Sequence, residues 1–481
     1  MAKDKSPSFA LELELSLNSH EKAILKKKLN IGRQIYNACL GEALKGLHKI
    51  QADPEYHLCL TQAKSKERTR RLKEIERSYG YSEYQLHAWS AQCKAHFADQ
   101  LGINEVQKLA TRAFQAVEKL HYRQARRVFF KKQDEMISIE NKSNKQGLRW
   151  KDGKVVWGEL KLSVRIRKGD DYAVEALERK NKYIRIMPKV IRGKERFFVQ
   201  FVQEGLPPVK KDRTIGEPGA RVGIDPGTST MAIVSQNHVE LAELAPSIQV
   251  DEKKLRRIQR AMDRSRRWTN PDNFAENGTV KKGANNWHYS NRYRKLAAKR
   301  KELHRKIAAK RKQSHEQLAN RIIALGLDVR TEDMEYRGLQ KRSKQTTRSK
   351  RNGKINKKKR FGKSLGNRAP AMFLSIVDRK LHYHGASQKK IKTKAIKASQ
   401  FNHVTGQCTR KDLCDRWNTI EGQRVQRDLY SAFLIANAND RLNAIDLHQA
   451  NQWYDRFLEL HNLEVERLKK NGSKTLKWFV A

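Results

Sequence analysis

Apolar residues alternate with polar ones at the start of the chain, and the spacing then becomes helical. Every second position from Phe9 to Leu15 is apolar, which is typical of a strand with one buried face. Asn18 and Ser19 follow as a helix start, with Glu21 close behind them. Apolar positions then recur at helical spacing as far as Tyr36. The pattern therefore predicts a strand that is followed directly by a helix.

Helical spacing continues through residues 55–140. One apolar stripe consists of Val106, Leu109, Ala113, Val117 and Leu120. Such a stripe is most often the buried face of a helix in a bundle, and we interpret it in that way. The basic side chains between Arg123 and Lys132 suit a surface that faces either solvent or nucleic acid. The charge of the whole chain slightly favours nucleic acid.

Residues 150–207 have the spacing of strands. Short runs rich in β-branched and aromatic residues alternate with charged turns, namely Val155–Trp157, Leu162–Ile166, Tyr183–Ile186 and Phe197–Phe201. They predict a small antiparallel barrel that the N-terminal strand would close, so that the helices form an insertion. Pro207 and Pro208 then indicate a linker.

A further unit begins near Arg221. Its strand patterns are Val222–Ile224, Met231–Val234, Val239–Leu241 and Leu327–Arg330, with a basic helical region from Asp251 to about Leu325 before the last of them. A run of basic residues without any acid follows, from Lys341 to Lys363. We expect this run to be a flexible loop that contacts nucleic acid. Its candidate contact residues are Lys341, Arg342, Lys350, Arg351, Lys357, Lys358, Lys359 and Arg360.

Charge narrows the class of partner. The 481 residues include 102 Lys and Arg against 52 Asp and Glu, a formal net charge of +50. Such a charge costs self-repulsion in an isolated protein, whereas binding to phosphates releases their condensed counterions. The excess suits a protein that holds a long DNA duplex and a folded RNA together. The length favours about two to four structural units.

Other classes of protein fit less well. No run of about 18 apolar residues is present to span a bilayer, so we expect no membrane partner. The stretch Met1–Ser6 does not have the character of a signal peptide. The five cysteines are odd in number and scattered, which argues against a disulfide framework and for a reducing compartment. We expect a cytoplasmic, nucleoid-associated protein of a prokaryote.

Three separate segments place a carboxylate at the boundary of an apolar element. Asp225 ends an apolar strand pattern and precedes a sharp turn at Pro226. Glu332 ends a second strand pattern, after the long helical region. Asp428 begins a helix with an apolar face that includes Leu429. Carboxylates in the order strand, strand, helix can converge at one edge of a sheet.

Three converging carboxylates suit an RNase H-like nuclease. Such a site holds two divalent ions about 4 Å apart, one of which prepares the attacking water while the other stabilises the leaving 3′ oxygen. We expect two Mg²⁺ ions, with Asp225 bridging both because it lies on the first strand. Glu332 and Asp428 would each complete one side. Asp333 is next to Glu332, but on a strand its side chain points to the opposite face.

The three carboxylate segments resemble the three RuvC motifs of the TnpB family and its descendants, the compact type V CRISPR effectors. The motif segments are Val222–Ser229, Leu327–Asp333 and Val425–Leu434. The resemblance extends to Phe9–Leu15, Ile31–Asn37, Arg196–Gly205, Leu381–Gly385 and Ala398–Gln400, so that it spans most of the chain.

The resemblance implies an α+β multidomain fold. A wedge β-barrel is interrupted by a helical recognition domain and is followed by an RNase H-like (RuvC) α/β nuclease domain. Residues 1–20 and 150–215 would form the wedge, which is similar to oligonucleotide-binding barrels. Residues 21–149 would form the recognition domain, and residues 219–398 with 420–481 the nuclease domain. The resemblance also implies a guide RNA that pairs with double-stranded target DNA beside a short flanking motif.

One stretch departs from the family pattern. TnpB-like proteins usually have a four-cysteine zinc element before the third motif. Here residues 399–419 contain Cys408 and Cys414, which are too far apart in sequence for the knuckle that tetrahedral zinc favours. A histidine such as His403 would have to complete a zinc site. We expect a degenerate zinc-finger-like insert that binds target nucleic acid and is held by packing without zinc.

The sequence therefore predicts an RNA-guided, magnesium-dependent DNA endonuclease with one RuvC-like site. A cleavage-inactive RNA-guided repressor is an alternative, which the presence of all three carboxylates disfavours. A DNA transposase or resolvase is another, since RNase H-like catalysis alone permits it. The segments before the RuvC motifs and the size of the positive charge argue against it. Whether the guide derives from a transposon or a CRISPR array stays open, as do the flanking motif and the oligomeric state.

Overall fold

The structure is a computed structural model that describes residues 7–98, 100–136, 138–210, 213–348, 353, 355–356, 361–410 and 415–481, with only the backbone of 249–250. The chain forms two compact units that divide after Lys210. Each unit combines helices with a sheet, so the predicted α+β multidomain class is confirmed at this level. The finer domain boundaries stay predictions.

The first unit is built on a curled antiparallel sheet. Its strands are β1 (Ser8–Ser16), β2 (Ile139–Glu140), β3 (Arg149–Lys151), β4 (Lys154–Trp157), β5 (Leu160–Arg165), β6 (Asn181–Ile191) and β7 (Lys194–Glu204). Their order in the described residues is β2-β6-β7-β1-β5-β4-β3. β1 joins the two halves of the sheet, and β3 curls toward β6. Trp150 of β3 also meets Phe201 of β7, with ring centres 5.0 Å apart. The predicted barrel is therefore a half-barrel in the described residues.

Helices are inserted between β1 and β2. They are α1 (Ser19–Ala52), α2 (Pro54–Thr61), α3 (Lys66–Ser78), α4 (Glu83–His96) and α5 (Ile103–His121), while α6 (Asp171–Glu178) lies between β5 and β6. The predicted start of α1 is confirmed, because the Asn18 side chain accepts from the Glu21 backbone N at 2.8 Å and the Glu21 side chain accepts from the Asn18 backbone N at 2.8 Å. The predicted apolar stripe of α5 is buried from Val106 to Val117, against α1 and α4.

The second unit is built on a mixed sheet. Its strands are β8 (Arg221–Pro226), β9 (Thr230–Ser235), β10 (His238–Glu243), β11 (Asp328–Glu332) and β12 (Lys389–Ile391), in the order β10-β9-β8-β11-β12. The first three form an antiparallel meander, whereas β8, β11 and β12 run parallel. A separate hairpin consists of β13 (Trp417–Ile420) and β14 (Gln423–Gln426). The four predicted strand patterns of this unit are confirmed.

Helices cover both faces of the mixed sheet. They are α7 (Gln249–Thr269), α8 (Asn291–Leu325), α9 (Tyr336–Gln340), α10 (Gly362–Arg368), α11 (Pro370–His382), α12 (Thr393–Ile396), α13 (Arg427–Ala436), α14 (Leu447–Asn471) and α15 (Lys474–Phe479). One core packs α8 and α11 against one face, with Ile224 and Phe373 fully buried. A second core packs α13 and α14 on the other face, with Leu429 fully buried. None of the helices in the described residues is long and apolar enough to cross a bilayer.

Candidate active site

Asp225 and Glu332 lie at neighbouring strand ends. The parallel register of β8 and β11 pairs Ile224 with Thr331, so Asp225 and Glu332 are the next residues along their strands. Partners in a parallel register project to the same face of the sheet. The two strands are buried for different reasons: β8 carries the apolar residues Val222 and Ile224, whereas β11 buries Val329 together with the Arg330–Asp328 ion pair. The two carboxylates therefore share one face and one edge.

Helix α13 brings Asp428 to the same place. It packs across β8, β9 and β11 on the face that Asp225 and Glu332 share. Gly223 permits the close approach, because a methyl group there would overlap the carbonyl oxygen of Ala432 and the backbone nitrogen of Ala436. The Gln426 side chain caps the helix, accepting a hydrogen bond from a backbone N of the first turn. Asp428 then lies in that first turn.

The electrostatics of Asp225 show that the three carboxylates are neighbours. Burial raises the pKa of Asp225 well above its usual range, and the negative charges of Glu332 and Asp428 raise it further. The positive charge of Arg427 acts in the opposite direction. Burial also raises the pKa of Glu332. The fold thus brings together three acids that are widely separated in the sequence.

Among the described residues, arginines form ion pairs with one of the three acids, Asp428. Arg427 Nη2 lies 3.2 Å from Asp428 Oδ1, and Arg416 Nη1 lies 3.7 Å from Asp428 Oδ2. The Arg416 guanidinium also stacks over Trp478, 4.5 Å from the ring centre. In the described part of the chain, Asp225 and Glu332 have no ion-pair partner. Their negative charge is therefore left for something else to neutralise.

The donor set fits magnesium in its chemistry. Mg²⁺ prefers oxygen ligands, and two aspartates with one glutamate supply only oxygen. A divalent cation would also relieve the repulsion that raises the pKa of Asp225. Among the described residues, no group of three or more His, Cys, Asp or Glu side chains is already arranged around one metal position. The fit therefore concerns ligand type and charge.

Asp333 lies apart from the three carboxylates. Its side chain is 66% exposed, and Oδ1 lies 2.7 Å from Lys390 Nζ. Thr331 and Lys390 are register partners on the parallel strands β11 and β12, so Asp333 and Lys390 meet on the face opposite to Glu332. The predicted orientation of Asp333 agrees with this arrangement.

The sequence patterns did not single out two residues at or near the site, Tyr336 and Arg330. Tyr336, at the start of α9, has its pKa raised by burial and by the nearby charges of Asp225 and Glu332. Its hydroxyl is therefore a neutral hydrogen-bond donor beside the carboxylates. Arg330 is fully buried, with Nη2 2.8 Å from Asp328 Oδ2 and a hydrogen bond to the Ala438 carbonyl, so it ties β11 to the segment after α13.

The stretch 399–419 packs onto α13 through His403. The Nδ1 atom of His403 is 2.6 Å from the Tyr430 hydroxyl, and its ring lies 4.7 Å from that of Tyr454. Burial lowers the pKa of His403 to about 4, so the imidazole is neutral near neutral pH. Cys408 is exposed and free, whereas Cys414 lies outside the described residues. The zinc-free insert stays a prediction.

The basic run after β11 is described only in part. Lys341 and Arg342 are exposed on the surface. The other candidate contact residues lie outside the described residues, namely Lys350, Arg351, Lys357, Lys358, Lys359 and Arg360. Their role in nucleic-acid binding stays a prediction.

The chain is similar in structure to compact type V CRISPR effectors. One is Cas12f1 in a cryo-EM structure of a Cas12f1–sgRNA–target DNA complex, at 10% identity over 91% of this chain and 99% of that one, with a TM-score of 0.45. A CRISPR–Cas12f ternary complex matches at 13% identity over 89% of this chain and 83% of that one, with a TM-score of 0.27. No protein-family model and no curated protein sequence matches the chain.

Proposed function

We propose that the protein is an RNA-guided, magnesium-dependent DNA endonuclease with a single RuvC-like active site. The observation that supports this most directly is the meeting of Asp225, Glu332 and Asp428 at one edge of the mixed sheet. Two acids on adjacent parallel strands and a third on a packed helix are what an RNase H-like nuclease requires. The motif resemblance along the sequence supports the same assignment.

Each acid of the site has a distinct role in this proposal. Asp225 feels the charges of both Glu332 and Asp428, so it would contact both metal ions. Glu332 and Asp428 would each hold one ion. Magnesium, when bound, supplies the acidity that activates water and the charge that stabilises the leaving oxygen. Arg427 and Arg416 orient Asp428 through their ion pairs. Tyr336 offers a neutral hydroxyl beside the carboxylates.

The proposed partners are a structured guide RNA and double-stranded target DNA. The net charge of +50 is far larger than a carboxylate site needs, and it suits two polyanions held at once. A guide RNA would supply the sequence recognition, while the protein contacts the backbone of the heteroduplex.

The test compares acid variants in guided cleavage. Protein purified with its own RNA is incubated with target plasmid and Mg²⁺, and guide-dependent DNA binding is measured in EDTA. Asp225→Ala and Glu332→Gln should each lower cleavage by about 100-fold or more, since even groups outside the ligand shell typically contribute 10- to 100-fold. Binding in EDTA should be retained, because these acids hold metal and not DNA.

Asp333→Asn is the matched control, since it removes a neighbouring acid that pairs with Lys390 on the other face. It should cut far better than Glu332→Gln. Guided cleavage that survives Asp225→Ala would contradict the assignment of the site. Guided binding by the wild-type protein without any cleavage would favour a repressor, and joined DNA strands among the products would favour a transposase.

A further inference from the structure

A cavity lies beside the candidate active site, on the opposite face of the mixed sheet from α13. Its volume is about 370 Å³, and it is bounded by the end of β11, the start of α9, the segment before β12, and α11. Glu332 and Tyr336 border it, and the same two residues belong to the carboxylate site. The cavity thus adjoins one acid, Glu332, of the site where DNA is proposed to be cut.

Three polar groups around this cavity lack a partner. Thr331 Oγ1, Tyr336 Oη and Gln388 Nε2 are each buried, and none has a hydrogen bond in the described part of the chain. They come from β11, α9 and the segment before β12, so no single local feature explains their clustering. Burying a polar group without a hydrogen bond costs stability. Because the three residues that carry these atoms all border one cavity, a polar ligand seated there would be close enough to supply the missing hydrogen bonds.

The remaining walls define the chemistry of that ligand. Met334 and, on α11, Ala371 and Leu374 provide an apolar surface. The Lys390–Asp333 ion pair and Asp378, whose Oδ1 accepts from the Gln388 backbone N at 3.0 Å, complete the walls. A flat molecule with apolar faces and a polar edge matches this combination. Nucleobases have this character, and pockets that receive an extruded base read its edge by hydrogen bonds and contact its faces with apolar side chains. The volume accommodates one base with its sugar.

We propose that this cavity receives one unpaired base of the DNA strand being cut, next to the phosphate that faces Asp225, Glu332 and Asp428. This inference rests on the proposed endonuclease function and adds a positioning subsite to it. Gln388, Thr331 and Tyr336 contact the base edge, while Leu374 contacts its face. Seating the base fixes the neighbouring phosphate against the carboxylates, so cutting depends on the base at one defined position.

The first test removes bases from the substrate and leaves the protein intact. Target duplexes that lack a single base, one position at a time around the cut, are cleaved by the wild-type complex. Loss of the base at one position should lower the rate about threefold to tenfold, as expected for lost hydrogen bonds. The double variant Thr331→Val/Gln388→Leu nearly keeps the side-chain sizes but removes the polar groups. In this variant, removal of the same base should not change the cleavage rate. An equal effect in wild type and double variant, or no sensitive position in the wild type, overturns the proposal.

Ser375→Ala is the matched control. Ser375 also borders the cavity, but its hydroxyl already donates to the Ala371 carbonyl at 2.9 Å. It should keep the wild-type dependence on the base, and loss of that dependence in Ser375→Ala would count against the assigned contacts.

A second test does not need cleavage. 2-Aminopurine is placed at positions around the cut, and its fluorescence is measured on binding in EDTA. One position should report transfer out of the base stack in wild type and Ser375→Ala, but not in the double variant. This signal without any cleavage in Mg²⁺ would uphold the subsite and refute the endonuclease. If the DNA is cleaved but the 2-aminopurine fluorescence is the same in wild type and double variant at every position, the endonuclease is upheld and the subsite is refuted.

Discussion

Asp225 is set apart by its surroundings from the other acids of the site. Asp428 is paired with Arg427 and Arg416, but Asp225 is partly buried without an ion-pair partner among the described residues. Its ionised form is therefore unfavourable in the folded protein, which is reflected in its raised pKa. Strongly shifted pKa values of this kind are common at functional sites.

The raised pKa of Asp225 predicts a stability change that depends on pH. A folded-state pKa above the unfolded value means that the fold is favoured below the unfolded pKa, and that this contribution is lost as pH rises through the folded pKa. At neutral pH without divalent ions, Asp225 therefore destabilises the fold. Asp225→Asn should raise the free energy of unfolding in EDTA by about 1 kcal/mol or more.

Thermal unfolding in EDTA at about pH 5 and about pH 8 measures this effect. The advantage of Asp225→Asn over wild type should be larger at the higher pH. Mg²⁺ should stabilise the wild type more than the variant, because the variant lacks the charge that attracts the ion. Equal stability of the two proteins at both pH values would show that Asp225 is not strained in the fold. Asp333→Asn, which removes an exposed acid, is the control.

At the scale of elements, the site depends on how closely α13 approaches β8. The separation is set by Gly223, since an added methyl group would meet the backbone of Ala432 and Ala436. The same contact carries Asp428 toward Asp225. Arg330 strengthens the arrangement from the other end of α13, through its bond to the Ala438 carbonyl.

Gly223→Ala should therefore harm both stability and cutting. Overpacking at such a contact typically costs about 1–3 kcal/mol, and a shifted α13 would move Asp428 away from the other two acids. Chemical denaturation and guided cleavage at a temperature where the variant stays folded would measure the two effects. Gly219→Ala is the control, because nothing lies within 4 Å of a methyl group at that position. A stable Gly223→Ala protein with wild-type cleavage would contradict the role given to this glycine.

At the scale of the whole molecule, charge dominates. The chain has 102 Lys and Arg against 52 Asp and Glu, and charged side chains are mostly exposed, so its surface is basic on balance. Affinity for nucleic acid should fall steeply with salt, since each phosphate contact releases counterions. The basic run after β11 is expected to contribute to this affinity.

Neutralising Lys357, Lys358, Lys359 and Arg360 together should weaken nucleic-acid binding and leave thermal stability nearly unchanged, because the run has no apolar spacing for core packing. If all four contact duplex phosphates, the slope of log affinity against log salt should become shallower by about 3.6. Titrations over a range of salt concentrations measure this slope. Exchanging each Lys for Arg and Arg360 for Lys keeps the charge and should keep the slope. A large loss of folding stability with unchanged binding would refute this role.

Local patterns in the sequence were enough to predict much of the local structure and to indicate the candidate acids. Alternation predicted β1, the Asn18–Glu21 pair predicted the start of α1, and the boundaries of apolar runs indicated Asp225, Glu332 and Asp428. These features depend on neighbours within a few residues, which the sequence displays directly. The net charge likewise follows from composition alone.

Which distant residues meet is visible only in the folded chain. The parallel pairing of β8 with β11 across a long helical insertion, and the fit of α13 over Gly223, bring the three acids together. Arg330 looks like an ordinary polar strand residue in the sequence, yet it is buried among partners from the segment after α13. Tyr336 and the cavity beside it depend on the path of the chain after β11. Such contacts have no local signature, because the free energy that fixes them comes from packing between segments far apart in the chain.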